Sequence, residues 1–385
     1  MVYSSFGATG YTVGNGSIEK LREYQKERVG LVIDENIVNA LGLGQLLYED
    51  IFADTEYEIL CNVPMEPTTE MLNIPIQKTR LFAPTWIVGI GGGAVMDVAK
   101  ALRVFAEHPE LTWGQALTPY SIEKAEKKIG LTVIPTTSGT GSETTGCSVV
   151  KDENNRKRMI LSKEIIPTEA ILDFTLLRSL PLKNIAYSGA DALAHALESA
   201  ISLRSNPMVK ALSCQAAVMI MKNLKASYEG DLDAREKMHI AASLAGMGIG
   251  NAGTGMAHGM DQAGGDFHLP HGLMTGLALP YTMQYLMPQA VYSEVAEQLG
   301  YTGTEEEKQK KLIHAIFELY RAIDMPMTLK KVGLSEEAYF GKVDAYIEKA
   351  LVDANIKSCP KDPEKKDLEY LYRVFYTGKY EGKDE

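Results

Sequence analysis

The sequence predicts an α/β dinucleotide-binding domain with a mostly parallel sheet, followed by an all-α domain. Up to about residue 185, short apolar runs alternate with helical stretches, which is typical of β–α units around a parallel sheet. Beyond Leu182, long segments with helical periodicity follow one another, and no β-like alternation returns. We therefore expect a boundary near Leu180–Lys183, with domains 1–182 and 183–385.

Each element follows from its own local pattern. The predicted strands are short β-rich apolar runs, namely Val29–Ile33, Glu58–Val63, Trp86–Ile90, Gly130–Ile134 and Ala170–Asp173. The predicted helices have helical periodicity, namely Ala94–Ala106, Ser188–Ser202, Pro207–Ala226, Ala234–Gly248, Glu305–Ile323 and Glu336–Leu351.

Composition argues against two kinds of partner. The 385 residues include 39 basic and 50 acidic ones, which gives a formal net charge of −11, and no basic stripe is present. Because nucleic-acid binding depends on such a stripe, no nucleic-acid partner is expected. The chain also lacks an apolar run of about 18 residues, the length that a membrane-spanning helix needs. No membrane partner is expected either.

The N-terminus and the cysteines bear on location. Met1–Thr12 lacks a basic region followed by an apolar stretch, so it does not predict a secretory leader. The four cysteines lie far apart without a Cys-x-x-Cys pair, which argues against a disulfide framework and a thiolate zinc site. We expect reduced thiols and a cytoplasmic location.

A glycine turn between a strand and a helix predicts an anion site. The strand Trp86–Ile90 runs into Gly91, Gly92 and Gly93, and a predicted helix follows. Backbone N–H groups and the helix dipole favour an anion there, and glycines let a pyrophosphate approach closely. The alternative is a tight turn that only joins strand and helix.

A second polar loop follows the strand Gly130–Ile134. The segment Pro135–Glu143 concentrates hydroxyls and glycines at the carboxyl end of that strand, where open α/β sheets bind ligands. The alternative is a loop whose Ser and Thr side chains cap their own backbone. Two such loops at two strand ends favour a phosphate-bearing cofactor.

The glycine spacing is not the Gly-x-Gly-x-x-Gly of the usual dinucleotide fold, and it lies far into the chain. The acid that binds the ribose is therefore expected earlier. Asp34, directly after the strand Val29–Ile33, is the first candidate, and Glu35 is the second. A carboxylate there binds the ribose of NAD and repels the extra phosphate of NADP, so NAD is favoured. The alternative is a loop acid that faces water.

The helical half contains a candidate metal-binding set. Asp191 and His195 are four residues apart on a predicted helix, so they share one face. His258 and His271 lie thirteen residues apart, and a glycine follows each. Three imidazoles and one carboxylate suit Fe(II) or Zn(II). Taken singly, a histidine on this helix is more often a hydrogen-bonded core residue, and Asp191 could be a helix cap.

These motifs together resemble the iron-containing alcohol dehydrogenase family. The similarity extends in order and spacing through Gly91–Lys100, Pro135–Glu143, Gly189–Glu198, Asn251–Pro280 and Asp353–Tyr372. The resemblance implies a metal- and NAD(P)-dependent enzyme that interconverts a small primary alcohol and its aldehyde. It also implies a cofactor domain, a helical metal domain, an active site in the cleft between them, and a homodimer.

The resemblance assigns roles to individual positions. Four residues match the metal ligands at the catalytic centre, namely Asp191, His195, His258 and His271. The positions that match cofactor contacts are Asp34, Gly91, Gly92, Gly93, Asp97, Thr136, Thr137 and Ser142. The residues expected near the substrate are Thr145, Cys147, Ile249, Gln262 and Asn355.

Three positions depart from the family pattern. Many members have a second histidine four residues after the one that matches His258, and this chain, one residue shorter there, has none. Ile249 stands where an aromatic residue often closes the substrate pocket, and Cys359-Pro360 replaces an Asn-Pro. No metal ligand is affected, so the departures concern the substrate and the proton path. Asp261, His268 and bound water are candidates for that path.

Rival functions stay open at this point. One is a zinc polyol dehydrogenase resembling glycerol dehydrogenase. Another is a reductase of a short anionic aldehyde, such as succinate semialdehyde or sulfoacetaldehyde, with Lys357 as the cation near Asn355. The simpler expectation is that Lys357 points to water. The last rival function is a binding protein that keeps the fold but does not catalyse a reaction. The intact set of predicted metal ligands and the two predicted phosphate-binding loops argue against it.

Overall fold

The computed structural model describes residues 9–64, 66–154 and 156–380, so most of the segment considered as a leader, Met1–Ala8, lies outside the described residues. The chain divides into two compact units, one up to Leu180 and one from Pro181 onward. Among the described residues, no helix is long and apolar enough to cross a membrane.

The first unit is an α/β unit. Its strands in the described part are β1 (Gly10–Val13), β2 (Val29–Ile33), β3 (Tyr57–Asn62), β4 (Trp86–Gly91), β5 (Gly130–Pro135), β6 (Cys147–Lys151), β7 (Lys157–Leu161) and β8 (Glu169–Leu172). Its α-helices there are α1 (Glu35–Ala40), α2 (Thr69–Phe82), α3 (Gly93–Glu107) and α4 (Trp113–Ala116), and helical segments of 3-10 or π type, such as Ser17–Tyr24 and Gln45–Ile51, lie between strands. Six of these strands form a parallel sheet in the order β1-β8-β5-β4-β2-β3, and β6 and β7 form an antiparallel hairpin.

Alternate residues of the central strands fill two apolar layers. Val32, Ile87 and Val133 pack with α3 on one face of the sheet, whereas Val88 and Ile134 belong to the core on the other face. Burial on both faces explains why these strands are nearly continuous apolar runs. The carboxyl ends of β4 and β5 lie side by side in register, with Gly91 opposite Pro135, so the two polar loops start next to each other.

The second unit is helical in its described residues. It contains α5 (Leu182–Ile201), α6 (Pro207–Tyr228), α7 (Leu232–Ala252), α8 (Met256–Gly259), α9 (Gln262–Asp266), α10 (His271–Leu286), α11 (Ala290–Gln298), α12 (Glu305–Ala322), α13 (Leu329–Val332), α14 (Glu336–Leu351) and α15 (Lys365–Thr377). Side-chain caps set several of the helix starts, with Asn206 before α6, Asp231 before α7 and Thr304 before α12.

The predicted fold class is confirmed: a parallel α/β unit precedes a helical one. All five predicted strands form, with ends displaced by at most one residue. β1, β6 and β7 were not predicted. β1 is a four-residue edge strand that begins with Gly10, and β7 carries the exposed Lys157 and Arg158, so neither shows a clear apolar pattern. Helix α5 begins at Leu182, six residues earlier than predicted.

Candidate metal centre and cofactor loops

Helix α5 contributes one face to a polar cluster in the second unit. Asp191 and His195 are 2% and 4% exposed. Because they are one helical turn apart, Asp191 Oδ1 lies 3.9 Å from His195 Nε2. The helix thus presents a carboxylate and an imidazole side by side in a buried place.

Two further imidazoles reach the same carboxylate oxygen. His258 lies on the short helix α8, and its Nε2 is 3.5 Å from Asp191 Oδ1. His271 begins α10, and its Nε2 is 3.8 Å from that oxygen. The rings of His195 and His258 stack with centroids 4.6 Å apart. The structure therefore brings together all four predicted ligands, from three helices.

The spacing of these atoms fits a bound divalent ion. Metal bonds of about 2.1 Å place the ligands of a tetrahedral site about 3.4 Å apart, close to the 3.5–3.9 Å between Asp191 Oδ1 and the three nitrogens. Among the residues that the structure describes, the buried His258 Nε2 has no hydrogen-bond partner. Because an unsatisfied buried nitrogen is costly, a metal ion is the natural partner for it. An N3O set suits Fe(II) or Zn(II).

The glycines that follow two of the histidines make the close packing possible. A Cβ at Gly259 would collide with Ile356 and approach Asp353 Oδ1 to 3.0 Å. A Cβ at Gly272 would collide with the backbone of Tyr187 on α5. The two His-Gly steps of the sequence therefore mark places where other residues pack closely, side chains against Gly259 on α8 and the backbone of α5 against Gly272 on α10.

An outer layer of polar groups orients the ligands. Glu198 accepts a hydrogen bond from His258 Nδ1 at 2.5 Å, and Asp261 accepts one from His271 Nδ1 at 2.6 Å. Thr275 Oγ1 donates to Asp191 Oδ1 at 2.8 Å. A carboxylate on Nδ1 fixes that atom as the donor, which leaves the lone pair on Nε2 for the metal.

Sequence analysis did not assign these outer residues. Glu198 follows His195 by three residues and Asp191 by seven, so helical periodicity places all three on one face. That spacing was the available signal. Asp261 was considered only for the proton path, and Thr275 has no local signature because its contact with α5 is a tertiary one.

Burial and charge give the cluster its electrostatics. Burial lowers the pKa of His195 to about 4, so this imidazole is neutral at pH 7. Burial also opposes protonation of His258, but the carboxylates of Glu198 and Asp191 outweigh it and raise its pKa to about 10. The surrounding imidazoles overcome the effect of burial on Asp191 and keep its pKa well below the usual range. The cluster thus favours one added positive charge, which a metal ion supplies in place of a proton.

In the first unit, the glycine turn lies at the start of α3. A Cβ at Gly91 would come within 2.8 Å of Val95 Cβ, and a Cβ at Gly93 within 2.9 Å of Thr140 Cγ2, so protein packing explains both glycines. A Cβ at Gly92 would meet nothing closer than Thr137 at 3.7 Å. Gly92 also caps α3 without a side-chain hydrogen bond. Protein contacts therefore do not require a glycine at this position, and the contact of Gly92 with a pyrophosphate stays a prediction.

The second loop is joined to the first through the backbone. Thr136 N donates to Gly91 O at 3.0 Å. Thr137 is half-buried beside Gly92. Thr136 is 1% exposed, and its Oγ1 is buried with no hydrogen-bond partner among the described residues. Of these two predicted cofactor contacts, Thr137 is the one that faces the glycine turn.

Asp97 and Ser142 bond each other. Ser142 Oγ donates to Asp97 Oδ1 at 2.8 Å, and Val149 N donates to Asp97 Oδ2 at 3.1 Å. Lys100, fully buried, donates to Ser142 Oγ at 2.7 Å and to Thr145 Oγ1 at 3.0 Å. These side chains therefore fasten α3 to the second loop. Direct contact of Asp97 or Ser142 with a cofactor stays a prediction.

The two acids after β2 differ in their contacts. Asp34 caps α1, with Oδ1 accepting from Asn36 N at 2.9 Å and from Ile37 N at 3.4 Å. Glu35 N donates to Asn62 Oδ1 at 3.1 Å. Asp34 therefore has a structural role in helix capping. One oxygen accepts both of these hydrogen bonds, so a ribose contact by the other is compatible with the cap and stays a prediction.

The residues predicted near the substrate have varied surroundings. Thr145 and Cys147 meet at Lys100, whose Nζ also donates to Cys147 O at 2.7 Å, and burial raises the pKa of the Cys147 thiol to about 12. Ile249 is half-buried near the end of α7. Gln262 donates to Gly259 O at 2.6 Å and accepts from Tyr372 at 2.5 Å.

The segment with Asn355 packs beneath α8, but Lys357 does not face inward. Ile356 is buried against Gly259, and Asn355 N donates to Asp353 Oδ1 at 2.8 Å. Lys357 is 47% exposed and pairs with Asp362 at 2.8 Å. The ammonium group of Lys357 thus points to solvent, as the simpler expectation had it, and its contact with an anionic substrate end stays a prediction.

The two side chains predicted for the proton path, His268 and Asp261, have different surroundings. His268 is exposed in a left-handed backbone conformation, with φ of 52°. Asp261 is 9% exposed and bonded to the ligand His271. Asp261 alone of the two contacts a metal-ligand candidate through a described hydrogen bond.

Comparison with known proteins agrees with this geometry. Residues 8–174 match the model for iron-containing alcohol dehydrogenase, and residues 185–376 match the model for the C-terminal part of the same family. The chain is 34% identical over 371 residues to the NADPH-dependent butanol dehydrogenase of Clostridium saccharobutylicum, covering 95% of this chain and 96% of that protein. It is 34% identical over 381 residues to an alcohol dehydrogenase of Thermococcus barophilus, covering 96% and 98%.

A solved structure is similar to this protein over nearly the whole chain. An iron-containing alcohol dehydrogenase from Thermococcus thioreducens superimposes with a TM-score of 0.86 at 30% identity, covering 98% of this chain and 100% of that one. The chain therefore belongs to the iron-containing alcohol dehydrogenase family.

Proposed function

We propose that the protein is a metal-dependent alcohol dehydrogenase and aldehyde reductase that transfers a hydride between NAD(H) and a small primary alcohol or aldehyde. The observation that carries the proposal is the convergence of three imidazole nitrogens on Asp191 Oδ1 at 3.5–3.9 Å. Family membership supports oxidoreduction of alcohols and aldehydes.

The residues of the chain contribute binding and orientation. Asp191, His195, His258 and His271 hold a divalent ion, preferably Fe(II) and otherwise Zn(II). Bound there, the ion polarises the substrate oxygen as a Lewis acid, while NAD accepts or supplies the hydride. The turn at Gly92 and the half-buried Thr137 accommodate the pyrophosphate. Burial of Asp191, His195 and His258 strengthens the electrostatic effect of the cluster on the substrate.

NAD is preferred over NADP in this proposal because of Asp34. A carboxylate near the ribose repels the additional phosphate of NADP. The Clostridium relative is named as NADPH-dependent, so the preference has to be measured for this chain directly. A homodimer is also proposed from the family resemblance, and sedimentation equilibrium tests it.

The test is a panel of aldehydes assayed with NADH and with NADPH before and after removal of the metal. We expect activity on butanal that disappears with a chelator and returns with Fe(II) or Zn(II). Glycerol oxidation that greatly exceeds 1-butanol oxidation in the zinc form would support the polyol alternative. Lack of turnover with every alcohol and aldehyde in the fully metal-loaded protein would contradict the proposal.

A further inference from the structure

His271 is the most exposed of the four ligand candidates. Its side chain is 37% exposed, whereas those of Asp191, His195 and His258 are 4%, 5% and 8% exposed. It is also the first residue of α10, after Pro270, and this helix start has no side-chain cap. Packing therefore restrains its ring less than it restrains the other two rings.

The ring of His271 is oriented by Asp261. Nδ1 lies 2.6 Å from Asp261 Oδ2, so this nitrogen donates and Nε2 keeps the lone pair that faces Asp191. The position of Asp261 is itself fixed, because the residue is 9% exposed and its backbone is part of the turn between α8 and α9. Gly264 provides the space for its carboxylate, since a Cβ at that position would collide with Asp261 Oδ1.

Glu198 makes the equivalent contact on the buried side, but with an additional structural role. It accepts from His258 Nδ1 and also from Ala257 N, both at 2.5 Å. Loss of Glu198 would leave a buried backbone N–H without a partner, so its effect on the metal cannot be separated from its effect on folding. Asp261 offers the cleaner test.

We propose that Asp261 is a positioning residue that holds His271 as the fourth metal ligand and sets the affinity for the ion. The proposal rests on the metal centre of the proposed function and adds a residue outside the ligand set. Loss of the carboxylate frees the exposed ring to rotate and lowers the basicity of Nε2. Second-layer partners of metal-bound histidines change metal affinity by about 10–100-fold when they are removed.

The probe is Co²⁺ added to the metal-free full-length protein, with binding followed by the visible d–d absorption of the ion. We expect Asp261→Ala to weaken Co²⁺ binding by about 10–100-fold and Asp261→Asn, which retains a hydrogen-bond acceptor, to weaken it less. The d–d band of Asp261→Ala should lose intensity as water replaces the His271 nitrogen. Asp266→Asn is the matched control, because Asp266 lies on the adjacent α9 and bonds Lys342 and Tyr346 instead.

A double-mutant cycle distinguishes positioning from a general structural effect. In His271→Ala protein, Asp261→Asn should cause no further loss of Co²⁺ affinity, since its only proposed route to the ion is through that ring. An additional loss equal to that in the wild-type background would overturn the proposal. So would Co²⁺ affinity and spectra in Asp261→Ala that match the wild type. Failure of the wild type itself to bind Co²⁺ would instead contradict the metal centre of the proposed function and, with it, this inference.

Discussion

The side chains that join the predicted cofactor loops and those of the candidate metal cluster differ in their hydrogen bonding. In the first unit, Lys100 donates to Ser142, and Ser142 donates to Asp97, so these side chains bond each other. In the second unit, His258 Nε2 is buried and has no hydrogen-bond partner in the described part of the chain. We call the first network the frame, because it joins α3 to the second loop, and the second is the set of side chains predicted to be ligands for an ion. Changes to the frame should alter stability and cofactor binding, and changes to the cluster should alter metal content and turnover.

The largest effect is expected from His258→Ala. Three remaining ligands hold a divalent ion weakly, and its Lewis acidity accounts for several kcal/mol of transition-state stabilisation, so turnover should fall by about a thousandfold or more. Bound metal, measured by mass spectrometry, should fall with it. His314→Ala is the control, because that side chain is 62% exposed on α12. Full turnover in metal-stripped His258→Ala protein would disprove the assignment.

Lys100→Met tests the frame. The substitution removes the donor to Ser142, Thr145 and Cys147 O and leaves Asp97 without its neighbouring cation. Buried acceptors without partners are costly, so the free energy of unfolding should fall by about 2–4 kcal/mol. The KM for the cofactor should rise, while metal content stays that of the wild type.

The control for the frame is Lys128→Met, which removes a lysine that is 46% exposed and pairs with Glu164. Urea denaturation of the two variants gives the comparison. Wild-type stability together with a wild-type cofactor KM in Lys100→Met would show that the network does not position the loop.

Thr275→Val tests the support of the carboxylate ligand. Valine has nearly the same shape but cannot donate to Asp191 Oδ1, a bond of 2.8 Å in the structure. Zn²⁺ affinity, measured by competition with a chromophoric chelator, should fall about tenfold. Thr282→Val on the same helix is the control, since that hydroxyl bonds Leu279 O within α10. Equal affinities in the two variants would assign Thr275 to helix packing alone.

Two substitutions of Asp34 distinguish the effect of its charge from its effect as a helix cap. Asp34→Asn keeps a good helix cap but removes the charge, whereas Asp34→Gly removes the side chain. Both should relax the preference for NADH by about 1–2 kcal/mol, the size of one charge–charge contact at intermediate dielectric. The measurement is kcat/KM with NADH and with NADPH. A wild type that already prefers NADPH would reduce Asp34 to a cap.

Local patterns predicted the sheet, and the placing of Asp191 and His195 on one helix face, for physical reasons. The central strands are buried on both faces, so their apolar runs stand out, and β2 forms over the predicted residues Val29–Ile33. Asp191 and His195 share a face because the helical period requires it. The hairpin β6-β7 escaped prediction since most of its second strand is exposed and charged.

Tertiary contacts limited what the sequence could reveal about side-chain roles. Asp97 and Ser142 are 45 residues apart in the chain, and their hydrogen bond depends on how α3 packs against the second loop. The bond between Thr275 and Asp191 spans 84 residues and depends on α10 packing against α5. No periodicity encodes such pairs. The glycines after His258 and His271 were visible in the sequence, but their function in close packing became clear only from the atoms of Ile356, Asp353 and Tyr187 that lie against them.

The smallest effect is expected from Lys357→Ala. This variant removes an exposed lysine and so contrasts with Lys100→Met, which removes a buried one. Lys357 is 47% exposed and paired with Asp362, and exposed pairs of this kind contribute about 0–1 kcal/mol. Its removal should leave kcat/KM for butanal and for succinate semialdehyde unchanged within about twofold, since less than about 0.4 kcal/mol is at stake. Asp362→Ala provides the matched variant, because it frees the ammonium group without removing it. A selective loss with the anionic aldehyde in Lys357→Ala, together with a gain in Asp362→Ala, would support the hypothesis that Lys357 binds the anionic end of a substrate. Equal rates in all three proteins would leave the neutral short-chain aldehydes as the expected substrates, with half-buried Ile249 as the candidate apolar wall.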